Sequence, residues 1–204
     1  LRAALGSYGK FPHMPISGTR GFVVCEIRDG KELWMGSLMP QWNEEAGFES
    51  AANLTGGMRE YILYMPLYEE VHGLWLGFEE GVRVERGSGY DSAPILYYGS
   101  SITQGGCACR PDTCYQAIIA KRTGLDYVNL GFSGSGKGEP AMAEYLGTVA
   151  CSAFVCDYDH NSPTAETLEQ THYALYETFR RAQPETPVLF VGRPTPEYDP
   201  EHVA

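Results

Sequence analysis

The chain has 204 residues, of which 43% are hydrophobic and 20% are charged, so a packed core is expected and disorder is not. Its formal net charge of -11, without a basic stripe, argues against a nucleic-acid partner because the phosphates would be repelled. No apolar run approaches the length that spans a bilayer. A chain of this length forms one large domain or two small ones.

Residues 1–90 are predicted to form a small antiparallel β-sandwich or jelly roll. Four stretches rich in β-branched and aromatic residues predict strands, and turn-forming residues separate them. Their sequences are RGFVVCEI, ELWMGSLM, REYILYMPLY and HGLWLGFE. Between the first two, Asp29-Gly30 predicts a tight hairpin turn. No stretch in this half keeps a helical period long enough to predict a helix.

Residues 91–204 follow a different pattern, in which apolar strands alternate with helices. The predicted strands are PILYYG, LDYVNLGF, SAFVCDYD and PVLFVG, and the first two predicted helices are TCYQAIIAKRTG and EPAMAEYLG. A longer helix is predicted to open at Ser162-Pro163, with Leu168, Leu175, Phe179, Ala182 and His172 on one face. This alternation predicts an α/β domain with a parallel sheet covered on both sides, α/β/α.

Three polar loops follow the first three predicted strands, where reactive residues of a parallel sheet collect. Ser100 and Ser101 lie in a glycine-flanked turn that exposes a hydroxyl and backbone N–H groups, as a serine nucleophile requires. Gly134 in the second loop and the Asn161 amide in the third supply candidate oxyanion donors. Taken singly, a glycine-serine turn is common and an asparagine near a helix start is usually a cap.

These loops resemble the sequence blocks of the SGNH hydrolases of GDSL type, which are flavodoxin-like esterases. The first block stands here as Gly99–Thr103 and the second as Asn129–Gly134. Along the third strand, Asp159, Asn161 and Ser162 take the places of the family's glycine, asparagine and aspartate. The resemblance implies Ser101 as the nucleophile, with an oxyanion hole formed by its own N–H, the Gly134 N–H and the Asn161 side chain. It implies no cofactor and no metal.

Two features depart from that family pattern. The aspartate that precedes the family's nucleophile is Ser100 here, and Asp159 and His160 make the third loop more polar. For His160, a locally hydrogen-bonded histidine is favoured over a substrate contact. The family's D-x-x-H block, which supplies the general base, is matched in spacing by Asp199 and His202. We expect this match to be accidental, because it follows the fourth predicted strand, PVLFVG, with no room for a further helix and strand, and we expect the true block to lie beyond residue 204. The chain alone would then be inactive.

Three functions are compatible with these residues. The first is a serine-dependent ester hydrolase that deacetylates a small-molecule or carbohydrate ester, and the second is a non-catalytic carbohydrate-binding protein with a degenerate hydrolase domain. The third is a nucleotide-binding P-loop, suggested by Gly131, Gly136 and Lys137, although Gly138 stands where that motif needs a serine or threonine. His172 is a further candidate base, but its place on an apolar helix stripe favours a core role.

The compartment and the state of the cysteines are left open. The N-terminus, LRAALGSYGKF, is too short in its apolar part and too glycine-broken for a secretion signal, which slightly favours the cytoplasm. It begins with leucine, however, so a trimmed N-terminus is an alternative. The 6 cysteines lack zinc-site spacing, so buried thiols are favoured over a disulfide and a disulfide over a metal site.

Overall fold

A computed structural model describes residues 1–6, 11–41, 43–44 and 46–192. Asp199 and His202 lie outside the described residues. In chain order, the strands and helices are β1 (Arg2–Leu5), α1 (Ile16–Thr19), β2 (Phe22–Arg28), β3 (Lys31–Leu38), β4 (Gly47–Glu49), β5 (Glu60–Tyr64), β6 (Val71–Trp75), β7 (Ile95–Gly99), α2 (Ser101–Gln104), α3 (Tyr115–Thr123), β8 (Tyr127–Gly131), α4 (Pro140–Thr148), β9 (Ala153–Asp157), α5 (Ala165–Ala182) and β10 (Val188–Phe190). Among the described residues, no helix is long and apolar enough to cross a membrane.

The chain forms two compact units. Of the described residues, the first unit contains those from 1 to 89 together with 105–124, and the second contains 90–104 and 125–192. Segment 105–124 therefore belongs to the first unit, although it lies between two strands of the second unit along the chain. The domain boundary predicted near residue 90, between residues 1–90 and 91–204, stays a prediction.

The first unit is built on two three-stranded antiparallel sheets, in the orders β4-β1-β6 and β3-β2-β5. Side chains from both sheets form one apolar core, with Ala3 and Phe48 from the first sheet and Phe22 and Leu38 from the second. Burial of this shared face stabilises the pairing of the two sheets. The antiparallel architecture predicted for this half is confirmed.

The β2–β3 hairpin turns at Asp29-Gly30, as the sequence predicted. Both residues have positive φ, 52° and 71° respectively, and Arg28 pairs directly with Lys31 across the turn. A two-residue turn of this conformation matches the right-handed twist of the strands that it joins.

Segment 105–124 is held to the rest of the first unit by charged groups. The buried Asp112 carboxylate accepts hydrogen bonds from Arg110 at 2.9 Å and from Lys121 of α3 at 3.1 Å. Lys121 also lies 3.6 Å from Glu32 of β3 and over the ring of Tyr64 of β5. These contacts explain why α3, which ends at Gly124 as predicted, belongs to the first unit.

The second unit contains a four-stranded, wholly parallel sheet in the order β10-β9-β7-β8. Counted from its own first strand, this is the 2-1-3-4 order of a flavodoxin-like fold. The predicted α/β class with a parallel sheet is thereby confirmed. Strand order reverses beside β7, and in such sheets ligands bind at the carboxyl ends of the strands at this point.

Helices α4 and α5 pack together on one face of this sheet. The core beneath them is formed by Leu96 and Tyr98 of β7, Phe154 of β9, and Leu175 and Phe179 of α5. Burial on this face keeps the strands in register beneath the loops described below.

The predicted start of α5 at Ser162-Pro163 is wrong by two residues. Asp159–Asn161 form a 3-10 turn that the Ser162 N–H closes on the Asp159 carbonyl at 3.0 Å. The helix then begins at Ala165, and the hydroxyl of Thr164 caps it by accepting the Thr167 N–H at 3.2 Å.

Candidate active site

The three polar loops begin side by side because their strands end in register. Gly99, the last residue of β7, pairs with Gly131 of β8 and with Asp157 of β9. Beyond the strands, the Ser100 N–H donates to the Asp157 carbonyl and the Phe132 N–H donates to the Gly99 carbonyl, both at 2.9 Å. The loops that contain Ser101, Gly134 and Asn161 are therefore brought to one edge of the sheet.

Ser101 is the first residue of the short helix α2 and is half-buried. N–H groups of the first helical turn have no acceptor within the helix and point out of its end. The preceding residue, Ser100, is fully buried, and its hydroxyl accepts the Ile102 N–H at 3.2 Å. Ser100 thus stabilises the strand-to-helix turn as a neutral cap, in the place where the family pattern has a carboxylate.

Nearly all backbone N–H groups of the glycine-rich loop, residues 132–138, donate to acceptors in the protein. Six of these groups donate as follows: Phe132 to the Gly99 carbonyl, Ser133 to Gln104 Oε1, Ser135 and Gly136 to the Phe132 carbonyl, Lys137 to Glu139 Oε2, and Gly138 to the Tyr98 hydroxyl. The Gly134 N–H donates to no acceptor among the described residues. Gly134 has a φ of 69° and is exposed. The loop therefore presents one uncommitted donor.

Asn161 connects the third loop to this glycine-rich loop. Its side-chain nitrogen donates to the Phe132 carbonyl at 3.0 Å and to the Gly136 carbonyl at 2.9 Å. A primary amide carries two N–H donors, and both are used here. In the structure, Asn161 therefore holds the loop around Gly134 in shape.

Phosphate binding is not supported by the conformation of this loop. The Gly136 and Lys137 N–H groups, which a P-loop would aim at a phosphate, donate instead to Phe132 and to the carboxylate of Glu139. Glu139 precedes Pro140, the first residue of α4, and also accepts the Tyr98 hydroxyl at 3.1 Å. A carboxylate in this position would repel a phosphate.

A buried carboxylate lies behind the helix that carries Ser101. Asp157 is 5% exposed and accepts the hydroxyl of the fully buried Thr103 at 3.0 Å. Burial raises the pKa of Asp157 above its usual range, although the Thr103 hydrogen bond acts in the opposite direction. Helix α2 is thus fixed to β9 at its third residue.

The two histidines of the second unit have different surroundings. His172 packs between Tyr158 and Phe190, with ring centroids 5.6 and 4.3 Å away, and burial lowers its pKa. The core role expected for it agrees with this packing. His160 is exposed in the 3-10 turn and forms no hydrogen bond with the described residues, which differs from the locally bonded histidine that was favoured.

All six cysteines lie in the described part of the chain, and no disulfide joins them. Cys25, Cys114 and Cys156 are buried, as expected of small apolar thiols, whereas Cys107 and Cys109 are exposed. Burial raises the pKa of the Cys25 thiol to about 11, so this thiol is protonated at neutral pH.

The sequence did not single out the two side chains that fix α2 in place. Thr103 contacts Asp157, and Gln104 accepts the Ser133 N–H at 2.8 Å. The one signal for Gln104 was its i, i+3 spacing from Ser101 in a strand-to-helix turn, which places these two side chains on one side of the helix.

Comparison with known proteins identifies the family of the chain. Residues 92–199 match the model of the GDSL-like lipase/acylhydrolase family, and residues 1–84 match a model described as the N-terminus of SGNH-hydrolase-type esterases. Fold and site thus define an α/β protein of the acylhydrolase class. Because the first match comprises more than half of the sequence, the chain belongs to the GDSL-like lipase/acylhydrolase family. A search of curated proteins found no match.

Two solved structures are similar to the chain. One is a protein of Bacteroides ovatus ATCC 8483 assigned as a GDSL-like lipase, 29% identical with a TM-score of 0.86; the match covers 93% of this chain and 56% of that one. The other is the salicylyl-acyltransferase SsfX3 of a tetracycline biosynthetic pathway, 17% identical with a TM-score of 0.67, covering 92% and 53%. This second likeness shows the fold alone. The chain spans about half the length of both.

Proposed function

We propose that this protein is a serine-dependent ester hydrolase with Ser101 as its nucleophile. The observation that supports this most directly is the uncommitted Gly134 N–H, in a loop whose other N–H groups from 132 to 138 all have acceptors. Such a donor is suited to charge that develops on a carbonyl oxygen only during the reaction. Gln104 ties this loop to the helix that carries Ser101.

In the proposed reaction, Ser101 Oγ forms a bond to the ester carbonyl carbon while its proton passes to a histidine base. The carbonyl π electrons move to oxygen, and the Ser101 and Gly134 N–H groups stabilise the resulting oxyanion. Collapse of this intermediate expels the alcohol, which takes the proton from the base. Water then attacks the acyl-serine by the same steps and releases the acid.

Asn161 is proposed as the third donor to the oxyanion. Both of its amide N–H groups now bind carbonyls of the glycine-rich loop, so one of them has to be shared with the oxyanion. A three-centre hydrogen bond of this kind would let the same side chain shape the loop and stabilise the intermediate. Asn161→Ala is therefore expected to weaken both the loop and the catalytic step.

The general base is proposed to be the histidine of a D-x-x-H block. Two sources remain open: His202 with Asp199 in this chain, or an equivalent pair outside this sequence. His172 is a weaker candidate because its ring is packed between two aromatic rings. Substituting His202 in the protein distinguishes the first source from the second, since only the first predicts loss of activity.

An acetylated carbohydrate is proposed as the substrate. The proposal rests on the union of an N-terminal antiparallel β unit with a hydrolase sheet, which resembles carbohydrate esterases more than lipases. The side chains of Trp34 and Trp75 in the first unit are exposed, and aromatic rings of this kind suit contacts with sugars. Higher kcat/KM on an acetylated oligosaccharide than on a long-chain acyl ester would support this class.

Ser101→Ala tests the proposed function. In a protein that carries the complete D-x-x-H block, hydrolysis of p-nitrophenyl acetate should fall by at least about 10³-fold with the fold retained, because the nucleophilic hydroxyl is removed. Ser135→Ala is a matched control, since the Ser135 hydroxyl makes one long contact, 3.4 Å to the Ser133 carbonyl. Full activity in Ser101→Ala would overturn the proposal. Glycan binding without turnover by the wild-type protein would favour the binding-protein alternative instead.

A further inference from the structure

Gln104 links the helix of the nucleophile to the loop of the oxyanion donor. Its side-chain Oε1 accepts the Ser133 N–H at 2.8 Å, and Ser133 directly precedes Gly134. The backbone of Gln104 is fixed as well, because its N–H donates to the Ser100 carbonyl at 3.0 Å. Gln104 therefore bonds both to the residue that precedes the proposed nucleophile, Ser101, and to the residue that precedes the proposed oxyanion donor, Gly134.

The backbones around this link lie too close together to move independently. A Cβ atom added at Gly131, the last residue of β8, would overlap the backbone of Thr103 and Gln104. The Thr103 hydroxyl in turn donates to the buried Asp157 carboxylate at 3.0 Å. Because Gly131 packs against α2 on one side and Asp157 binds it on the other, the backbone of Gln104 is fixed. Its side chain can therefore orient the glycine-rich loop.

The hydrogen bond that Gln104 accepts from the Ser133 N–H lies on the peptide group directly before the one that contains the Gly134 N–H. Fixing the Ser133 N–H limits rotation of the chain at residue 133, and the ψ of Ser133 sets the direction of the Gly134 N–H because the Ser133 carbonyl and that N–H belong to one planar peptide group. The Asn161 amide fixes the loop from the other side, through carbonyls rather than N–H groups. Of these two amides, only Gln104 belongs to the same helix as Ser101.

We propose that Gln104 is a positioning residue that sets the distance and angle between Ser101 Oγ and the Gly134 N–H. This inference rests on the proposed hydrolase function. Gln104 would act through the loop rather than by contact with the substrate. Because small displacements of reacting groups cost up to about 10²-fold in rate, loss of the link should lower kcat and leave KM nearly unchanged.

The test compares two substitutions of nearly equal shape. Gln104→Met removes the acceptor, and we expect kcat on p-nitrophenyl acetate to fall by about 10–100-fold with little change in KM. Gln104→Glu keeps an oxygen that accepts the Ser133 N–H but adds a negative charge that opposes the oxyanion, so its kcat should lie between those of Gln104→Met and wild type. Melting temperatures of all three proteins show whether the fold is retained.

A second readout separates positioning from general structural damage. A boronic acid that forms a tetrahedral adduct with Ser101 places an oxygen near the Gly134 N–H, so its inhibition constant should rise in proportion to the loss of kcat in Gln104→Met. Equal kcat values in wild type and Gln104→Met would overturn the inference. A rise in KM alone would also overturn it, because it would mean direct substrate contact. The proposed function fails separately, through an active Ser101→Ala variant.

Discussion

The two units satisfy their buried polar groups by different means. The first unit uses charge pairs: fully buried Arg20 donates to Glu69 at 3.1 Å, and Asp112 lies between Arg110 and Lys121. Around its strand ends, the second unit uses mainly neutral amides and hydroxyls, two of which, those of Thr103 and Tyr98, donate to the carboxylates of Asp157 and Glu139. The groups concerned are Gln104, Asn161, Tyr98, Ser100 and Thr103.

This difference suits what each unit has to do. A buried ion pair holds two segments in one geometry but has a large desolvation cost. Burial raises the pKa of Glu69 above its usual range although Arg20 acts in the opposite direction, so the pair does not fully offset that cost. Neutral groups orient a loop without adding a full charge beside the site where an oxyanion is proposed to form. Fixed charges thus suit a scaffold, and neutral hydrogen bonds suit the site.

Breaking the Arg20–Glu69 pair should have the largest effect on stability. Arg20→Ala leaves the Glu69 carboxyl buried without its cation, and we expect a loss of about 3–5 kcal/mol in the free energy of unfolding. Chemical denaturation measures this loss. Replacing both partners, as Arg20→Met with Glu69→Leu, should restore most of it, because the desolvation cost disappears. A double variant no more stable than Arg20→Ala would contradict this account of the scaffold.

Two exposed glycines with nearly the same positive φ allow a matched test of the site. Gly134 and Gly124 have φ values of 69° and 71°, and a Cβ atom at either would meet nothing within 4 Å. Alanine at either position should cost about 1–2 kcal/mol of stability through backbone strain alone. Only Gly134→Ala should also lower kcat, by about 10–100-fold, because the strained peptide misaligns the proposed donor. Equal esterase activity in the two variants would exclude Gly134 from the oxyanion hole.

The smallest expected effect is a gain in stability that depends on pH. Because burial raises the folded-state pKa of Asp157, ionisation destabilises the native state as the pH rises from about 4 through that raised value. Asp157→Asn removes this cost while its amide oxygen still accepts the Thr103 hydroxyl. The variant should melt higher than wild type at pH 7, with each 1 kcal/mol raising the melting temperature by about 2–4 °C. The difference should shrink below pH 4, and a wild type that melts higher at pH 7 would contradict the prediction.

Local patterns predicted most of the secondary structure. Alternating apolar residues and the positive-φ pair Asp29-Gly30 determine the first hairpin, and Gly124 ends α3 in a left-handed conformation. The start of α5 was missed because two cap sequences, Ser162-Pro163 and Thr164, stand side by side. The 3-10 turn after β9 selects the second of these.

The site was predicted in part. Motif spacing identified Ser101 as a candidate nucleophile and Gly134 and Asn161 as candidate oxyanion donors. The strand register places their loops at one edge of the sheet. Gln104 was missed because its partner, Ser133, is 29 residues away in the chain. Sequence patterns carry local periodicity, whereas a side-chain bond between two loops depends on the register of the strands beneath them.

The sequence by itself determined the α/β pattern of the second half, the strand-rich first half and the residue types at three strand ends. These follow from periodicity and turn chemistry, which act over a few residues. Tertiary structure alone decided that segment 105–124 belongs to the first unit, that Asn161 uses both amide donors on the glycine-rich loop, and that the Gly134 N–H meets no acceptor within the described part of the chain. Hydrogen-bond partners far apart in the chain are settled only when the sheet brings them together.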